Sequence, residues 1–136
     1  MPAHSENFPW MSYYGNYHFF EQRMDEHTRV ESFERVNPSV YHIKLTNGRR
    51  IKTFVCECYS FDVAEYIESC ENYGPLDAVV INSNWCGYTP DVKRYCMNEQ
   101  VGVYDISGFM AAINRIDYWN YLTRREREHF HANGWI

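Results

Sequence analysis

The sequence predicts a single α/β domain with a mixed central sheet of four to five strands, in which an antiparallel meander precedes a β-α-β-α-β unit flanked by helices. Asn47-Gly48 lies between two predicted strands, residues 40–46 and 51–59, and is a strong signal for a two-residue hairpin turn. Residues 76–82 form a nearly continuous apolar run, which is typical of a parallel strand buried on both faces. Helical periodicity on either side of that run predicts the two crossover helices.

The chain of 136 residues has the length of one domain with one hydrophobic core. Its apolar content of 45% and charged content of 23% are ordinary for a globular protein. We expect residues 1–11 to form a flexible arm, residues 12–116 the α/β core, and residues 117–136 a C-terminal bend and helix.

Charge, aromatic content and cysteine count narrow the classes of function. The net charge of −5 disfavours nucleic acid as a partner because an acidic surface repels phosphates, and the aromatic content of 18% favours a protein-binding surface. No apolar run reaches the roughly 20 residues that span a bilayer, and the N-terminus lacks the pattern of a secretory signal, so we expect no membrane association. Five cysteines are an odd count, which predicts reduced thiols and a cytoplasmic location.

The N-terminal half predicts one helix and two strands of the meander. A helix over residues 12–27 is indicated by aromatic and apolar positions spaced as one stripe: Tyr13, Tyr17, Phe20 and Met24. Residues 29–36 predict the first strand and residues 40–46 the second. In the second strand, one face is expected to carry Tyr41, Ile43 and Leu45, and the other His42 and Lys44.

The C-terminal half contains recognisable helix starts. Ser60 is placed to cap a helix over residues 61–72, with an expected buried face of Val63, Ala64, Ile67 and Cys70. Thr89-Pro90-Asp91 opens a helix over residues 89–100, residues 101–106 predict the last strand, and Ser107 is placed to cap the helix after it. Thr123 and Glu126 form a capping box for a final helix, which leaves Trp135-Ile136 as an apolar tail.

The order of these elements resembles the restriction-endonuclease-like fold of the PD-(D/E)xK superfamily. The resemblance covers about 90 residues, and it is closest to the end of the Mrr-like restriction domains over residues 76–106 and the helix that follows. The resemblance implies that an acidic residue on the second meander strand and an acid-x-Lys triplet on the third would hold a divalent metal ion for hydrolysis. This chain departs from that pattern, since it has His42 on the second strand and Cys56-Glu57-Cys58 on the third.

His42, Cys56 and Cys58 have two interpretations. Histidine and cysteine are soft ligands that suit Zn²⁺, and alternation places the three side chains on one face of neighbouring strands. The usual zinc spacing of two cysteines separated by two residues is absent, and Cys is among the most commonly buried residues. The sequence therefore favours three structural positions and predicts neither a metal nor a cofactor, with a divalent metal as the alternative.

The polar loop over residues 82–88 follows the carboxyl end of the central strand, where ligands bind in many α/β sheets. Cys86 is a candidate nucleophile there if His18, His27 or His42 lies nearby. The aromatic side chains are better candidates for contacts with a partner. The predicted contact residues are Trp85, Tyr88, Trp119 and Trp135.

These observations predict a non-catalytic protein-binding module, of the inhibitor or immunity type, that acts on a nuclease, toxin or defence complex. Acidic side chains would steer its association with a basic surface: Glu21, Asp25, Glu26, Glu65, Glu68 and Glu71. The alternative is a divergent metal-dependent nuclease that uses Glu21 and Glu57, with Asp62 or Asp77 recruited as a further ligand. A homo-oligomer built through Tyr118, Trp119 and the Trp135-Ile136 tail is a third hypothesis.

Overall fold

A computed structural model describes residues 16–83 and 86–136 of the chain. Its strands are β1 (Val30–Asn37), β2 (Val40–Leu45), β3 (Arg50–Cys56), β4 (Ala78–Ile81) and β5 (Gly102–Asp105). Its helices are α1 (Asn16–Glu26), α2 (Val63–Tyr73), α3 (Pro90–Asn98), α4 (Ile106–Ala112) and α5 (Arg124–Ala132), with a 3₁₀ turn at Tyr118–Asn120. The predicted arm over residues 1–11, and Tyr13 of the predicted helical stripe, lie outside the described residues.

The five strands form one mixed sheet in the order β1-β2-β3-β4-β5. The pairs β1–β2 and β2–β3 are antiparallel, and β3–β4 and β4–β5 are parallel. Gly48 lies in the turn between β2 and β3 with a φ of 88°, a conformation that glycine adopts without steric cost. The α/β class, the five-stranded mixed sheet and the meander followed by β-α-β-α-β are confirmed.

Helices α1 and α4 cover one face of the sheet. Phe20 and Met24 of α1 are fully buried, together with Tyr41 of β2 and Phe109 of α4. The Phe20 ring lies 5.1 Å from the Tyr41 ring and 6.1 Å from the Phe109 ring, measured between centroids. The aromatic stripe of α1 is therefore core, as its spacing predicts.

Helices α2 and α3 cover the other face. Tyr66 of α2 and Val92 of α3 pack in a second core cluster with Phe54 of β3 and Val103 of β5. The two helices follow the two parallel crossovers, and crossovers of this kind are nearly always right-handed. Because the strands stand in chain order, one handedness brings both helices to the same face.

The predicted N-cap of α2 is wrong. Asp62, not Ser60, is the N-cap, and it forms a capping box with Glu65. The buried face of α2 also differs from the predicted one by about one residue, since Tyr66 and Ser69 are buried while Ala64 and Ile67 are exposed. The Tyr66 ring is a large apolar group, and its burial offsets the exposure of Ile67.

The start of α4 is also capped by a different residue from the predicted one. The Asp105 carboxylate accepts a hydrogen bond from the Gly108 amide, which makes Asp105 and not Ser107 the N-cap. The cap therefore directly follows the last apolar residues of β5, with no intervening loop. The predicted capping box of Thr123 and Glu126 is present at the start of α5.

In the described part of the chain, no helix is both long and apolar enough to cross a membrane.

Phe19 and Phe20 offer a matched pair for testing the burial of α1. Phe20→Ala should lower the free energy of unfolding by about 3–5 kcal/mol because it leaves a cavity against Tyr41 and Phe109. Phe19 is 46% exposed, so Phe19→Ala should cost less than about 1 kcal/mol. Urea unfolding of the two variants measures both values, and equal losses would show that α1 does not pack as described.

Candidate functional site

A buried lysine occupies the junction of α3, β5 and α5. The side chain of Lys93 is inaccessible to solvent, and its ammonium group donates a 2.6 Å hydrogen bond to the carbonyl oxygen of Val103. The same ammonium lies 3.7 Å from the centre of the Tyr104 ring, a cation–π contact. Lys93 therefore joins α3 to β5 from inside the domain.

Glu126 brings α5 to this lysine. One carboxylate oxygen of Glu126 lies 4.0 Å from the Lys93 ammonium and accepts a 2.7 Å hydrogen bond from the Tyr88 hydroxyl. The other oxygen accepts a 2.9 Å bond from the Thr123 amide in the capping box. Glu126 is thus satisfied on both oxygens and fixes the first turn of α5 against the residues that precede α3.

Burial is the largest influence on the pKa of the Lys93 ammonium group. Loss of solvent lowers the pKa of Lys93 to about 8, and the nearby carboxylates of Glu126 and Asp105 oppose that shift. Burial, followed by the neighbouring Glu126 carboxylate, raises the pKa of Tyr88. The sequence contains no pattern that pairs Lys93 with Glu126, since the two residues belong to elements far apart in the chain.

The structure separates His42 from the two cysteines. His42 is exposed on β2 and pairs with Lys52 of β3, four residues before Cys56 and therefore roughly 13 Å away along that strand. Cys56 and Cys58 are buried in the core beneath α2 and α3. Burial raises the pKa of the Cys58 thiol to about 12 and that of Cys56 well above its ordinary value, which disfavours the thiolate that a metal needs.

Glu21 and Glu57, the predicted ligands of the nuclease alternative, have different surroundings. Glu21 accepts a 2.5 Å hydrogen bond from the Tyr41 hydroxyl, and Glu57 is fully buried just after β3. Asp62 caps α2, and the Asp77 carboxylate accepts a 2.8 Å bond from the Lys52 amide. Within residues 16–83 and 86–136, no group of three or more His, Cys, Asp or Glu side chains is placed to hold a metal ion.

Cys86 lies in the loop after β4, at the carboxyl end of the parallel strands. Its thiol is half-buried, and burial raises its pKa, whereas a catalytic thiol has a lowered one. Of the histidines proposed to activate it, His18 is exposed on α1, His42 is exposed on β2, and His27 contacts the Met110 carbonyl oxygen at 2.8 Å. The described contacts give Cys86 no activating partner.

The predicted aromatic contact residues divide between two locations. Tyr88 and Trp135 both adjoin α5, where the Trp135 ring packs 5.0 Å from Phe130. Trp119 lies elsewhere, 5.2 Å from the buried Tyr118 ring and 5.1 Å from the Arg49 guanidinium near the β2–β3 turn. Trp85 lies outside the described residues.

The predicted acidic residues also divide, since α1 and α2 cover opposite faces of the sheet. On α1, Glu21 is bound to Tyr41, and Glu26 forms a 3.0 Å ion pair with Arg23. On α2, Glu65 belongs to the capping box, while Glu68 and Glu71 are exposed. Asp25 is exposed on α1 without an ion pair within 4.0 Å among the described residues, whereas α2 presents two such carboxylates, Glu68 and Glu71, on one surface.

The exposed side of α2 continues onto α3. The two helices contact each other through the Tyr66 and Tyr95 rings, whose centroids are 6.0 Å apart. Their exposed side chains form a surface that we term the outer helical face: Ala64, Ile67, Glu68, Glu71, Asp91, Tyr95 and Glu99. Arg94, the exposed arginine of α3, instead contacts the Trp135 ring at 4.6 Å.

The outer helical face combines apolar side chains with carboxylates. Ile67 is 46% exposed and Tyr95 is 39% exposed, although helical periodicity alone predicts Ile67 to be buried. Apolar groups bordered by charges of one sign are suited to binding a protein surface of the opposite charge. The sequence predicted the surface role of the α2 carboxylates but not the exposure of the apolar residues between them.

Comparisons of this chain with protein-family models, with curated proteins and with solved structures find no match in any of the three.

The lowered pKa of Lys93 predicts that the free energy of unfolding depends on pH. Comparison of the wild type with Lys93→Met isolates the part of this dependence that comes from Lys93. Between about pH 8 and 10.5 the unfolded chain holds this proton and the folded chain does not, so the contribution of Lys93 to stability rises with pH in this window. The free energy of unfolding of the wild type minus that of Lys93→Met should increase by about 2 kcal/mol from pH 8 to pH 10. Using the difference cancels the titration of tyrosine and cysteine residues that both proteins share.

Urea unfolding of both proteins at each pH measures this difference. A difference that is constant or falls as the pH rises would contradict the lowered pKa of Lys93.

Proposed function

We propose that this chain is a non-catalytic protein-binding module that covers a basic surface of its partner with the outer helical face. The proposed role is that of an inhibitor or immunity protein directed at a nuclease, a toxin or a defence complex. The observation that carries the proposal is the exposure of Ile67 and Tyr95 among the carboxylates of α2 and α3.

Charge supports this choice of partner. In the described residues, no Lys, Arg or His nitrogen lies within 4.0 Å of the Glu68 or Glu71 carboxylate, whereas Glu26 on the opposite face is paired with Arg23. The net charge of the whole chain is −5. Carboxylates without an intramolecular partner accelerate association with a basic surface and discriminate against acidic ones.

The exposed apolar residues would supply the affinity that charge alone does not. Exposed ion pairs contribute little affinity, so a stable complex needs apolar area removed from water. Ile67 and Tyr95 are large side chains that remain substantially exposed in the free chain. We therefore place them at the centre of the proposed interface, with Glu68, Glu71 and Glu99 around them.

The nuclease alternative receives no comparable support from the described geometry. Glu21 is engaged by Tyr41, and Glu57 is buried after β3. Metal-dependent hydrolysis requires carboxylates that converge on one ion beside the scissile bond. Cleavage of DNA or RNA by the purified chain with Mg²⁺ or Mn²⁺, abolished by Glu57→Ala, would overturn the binding-module proposal.

Two charge reversals with equal effect on net charge test the proposed surface. The immobilised wild-type chain is compared with Glu68→Lys/Glu71→Lys on the outer helical face and with Asp25→Lys/Glu26→Lys on α1 as the matched control. The outer-face variant should lose, by about tenfold or more, a partner that the wild type and the control both retain from a lysate of the source cells. Quantitative mass spectrometry of the retained proteins measures the loss.

The retained partner is then purified and tested in two ways. Its affinity for the chain should fall as ionic strength rises, because salt screens the exposed carboxylates. Its own activity should be blocked by a stoichiometric amount of the chain. Equal retention of the partner by all three proteins would contradict the proposed surface, and so would a wild-type chain that retains no more protein than an empty support. A partner that stays active in the complex would contradict the inhibitor role.

A further inference from the structure

A small cleft lies between α5 and the segment that leads into α3. It has a volume of about 190 Å³ and is lined by Tyr88, Pro90, Arg125, Glu126, His129 and Phe130. We term it the α5 cleft. It is separate from the outer helical face, because its walls come from α5 and from the residues around the start of α3.

The walls of the α5 cleft are largely aromatic and apolar. Tyr88 and Phe130 contribute rings, and Pro90 contributes its aliphatic ring. Behind Phe130, the Trp135 ring packs edge-on at 5.0 Å and holds that wall in place. A cavity of about 150 Å³ is sufficient to accept benzene in a protein core, so the α5 cleft has room for one aromatic ring.

The carboxylate in the cleft is already neutralised. Glu126 accepts hydrogen bonds from the Tyr88 hydroxyl and the Thr123 amide, and its oxygen lies 4.0 Å from the buried Lys93 ammonium. Its negative charge is therefore balanced by a positive charge from within the domain. A ligand in the α5 cleft meets the remaining charged group, Arg125.

Arg125 and His129 stand one turn apart on the same side of α5, and both line the cleft. Among the described residues, no carboxylate lies within 4.0 Å of the Arg125 guanidinium, although the neighbouring Arg124 pairs with Glu128 at 3.3 Å. An arginine fork binds a carboxylate through two parallel hydrogen bonds. The cleft thus offers a ring-sized apolar space beside an unoccupied cation.

We propose that the α5 cleft binds a single-ring aromatic carboxylate, with the ring between Tyr88, Pro90 and Phe130 and the carboxylate on Arg125. His129 borders the same anion. This site is independent of the proposed protein-binding function, since the outer helical face contributes none of its residues.

Benzoate is the probe, and acetate and benzyl alcohol separate the contributions of the anion and the ring. Titrating benzoate into the isotope-labelled full chain should shift the backbone amide signals of Tyr88 and of α5 saturably, with a dissociation constant of about 1 mM. Acetate and benzyl alcohol should each bind at least about fivefold more weakly than benzoate.

Two arginine substitutions on α5 provide a matched pair. Arg125→Gln should weaken benzoate binding by at least about fivefold, because it removes the guanidinium in the cleft. Arg124→Gln removes the same charge from an adjacent residue outside the cleft and should change the dissociation constant less than about twofold. Circular dichroism confirms that both variants keep the fold.

Three results would overturn the proposal. The first is the absence of saturable shifts at Tyr88 and α5 while benzoate is raised far above the expected dissociation constant. The second is equal weakening by Arg125→Gln and Arg124→Gln, which would indicate a general attraction between charges. The third is acetate binding as tightly as benzoate, which would mean that the apolar walls hold no ring.

Discussion

The parallel pairing of β3, β4 and β5 in chain order places both crossover helices on one face of the sheet. That topology brings carboxylates of two separate segments together, Glu68 and Glu71 from α2 and Glu99 from the end of α3. It also leaves α1 and α4 to cover the other face, where the aromatic core forms. The acidic surface is therefore a consequence of the connections between strands as much as of the local sequence.

A second constraint acts at the junction of α3, β5 and α5. Lys93 is buried against the Val103 carbonyl oxygen and the Tyr104 ring, and Glu126 approaches it from α5. A buried ion pair adds little net stability, but removal of either partner leaves an uncompensated charge. The pair fixes where α5 lies, and with it the position of Arg125 and the aromatic walls beside Tyr88.

The outer helical face and the α5 cleft differ in their charged groups. The outer helical face is acidic, with Ile67 and Tyr95 exposed on it, whereas the α5 cleft is concave and borders Arg125. The Arg94 side chain turns toward Trp135 and away from the acidic surface. One domain thus presents two chemically distinct surface regions that share no residue.

The elements were predictable from the sequence because their signals are local. The Asn47-Gly48 turn, the apolar run that contains β4, and the stripe that includes Phe20 and Met24 each specify their own element. The caps at Asp62 and Asp105 were missed because a competing serine lies within two residues of each. The contacts of Lys93 with Glu126, and the exposure of Ile67, depend on how distant segments pack, which periodicity cannot specify.

The most direct test of the outer helical face is amide hydrogen exchange of the chain, alone and bound to the partner that it retains. Binding through this face predicts slower exchange in α2 and α3, at Val63–Tyr73 and Pro90–Asn98, and unchanged exchange in α1 at Asn16–Glu26. Protection confined to α1, or to α5 at Arg124–Ala132, would contradict the central claim and place the interface on another surface.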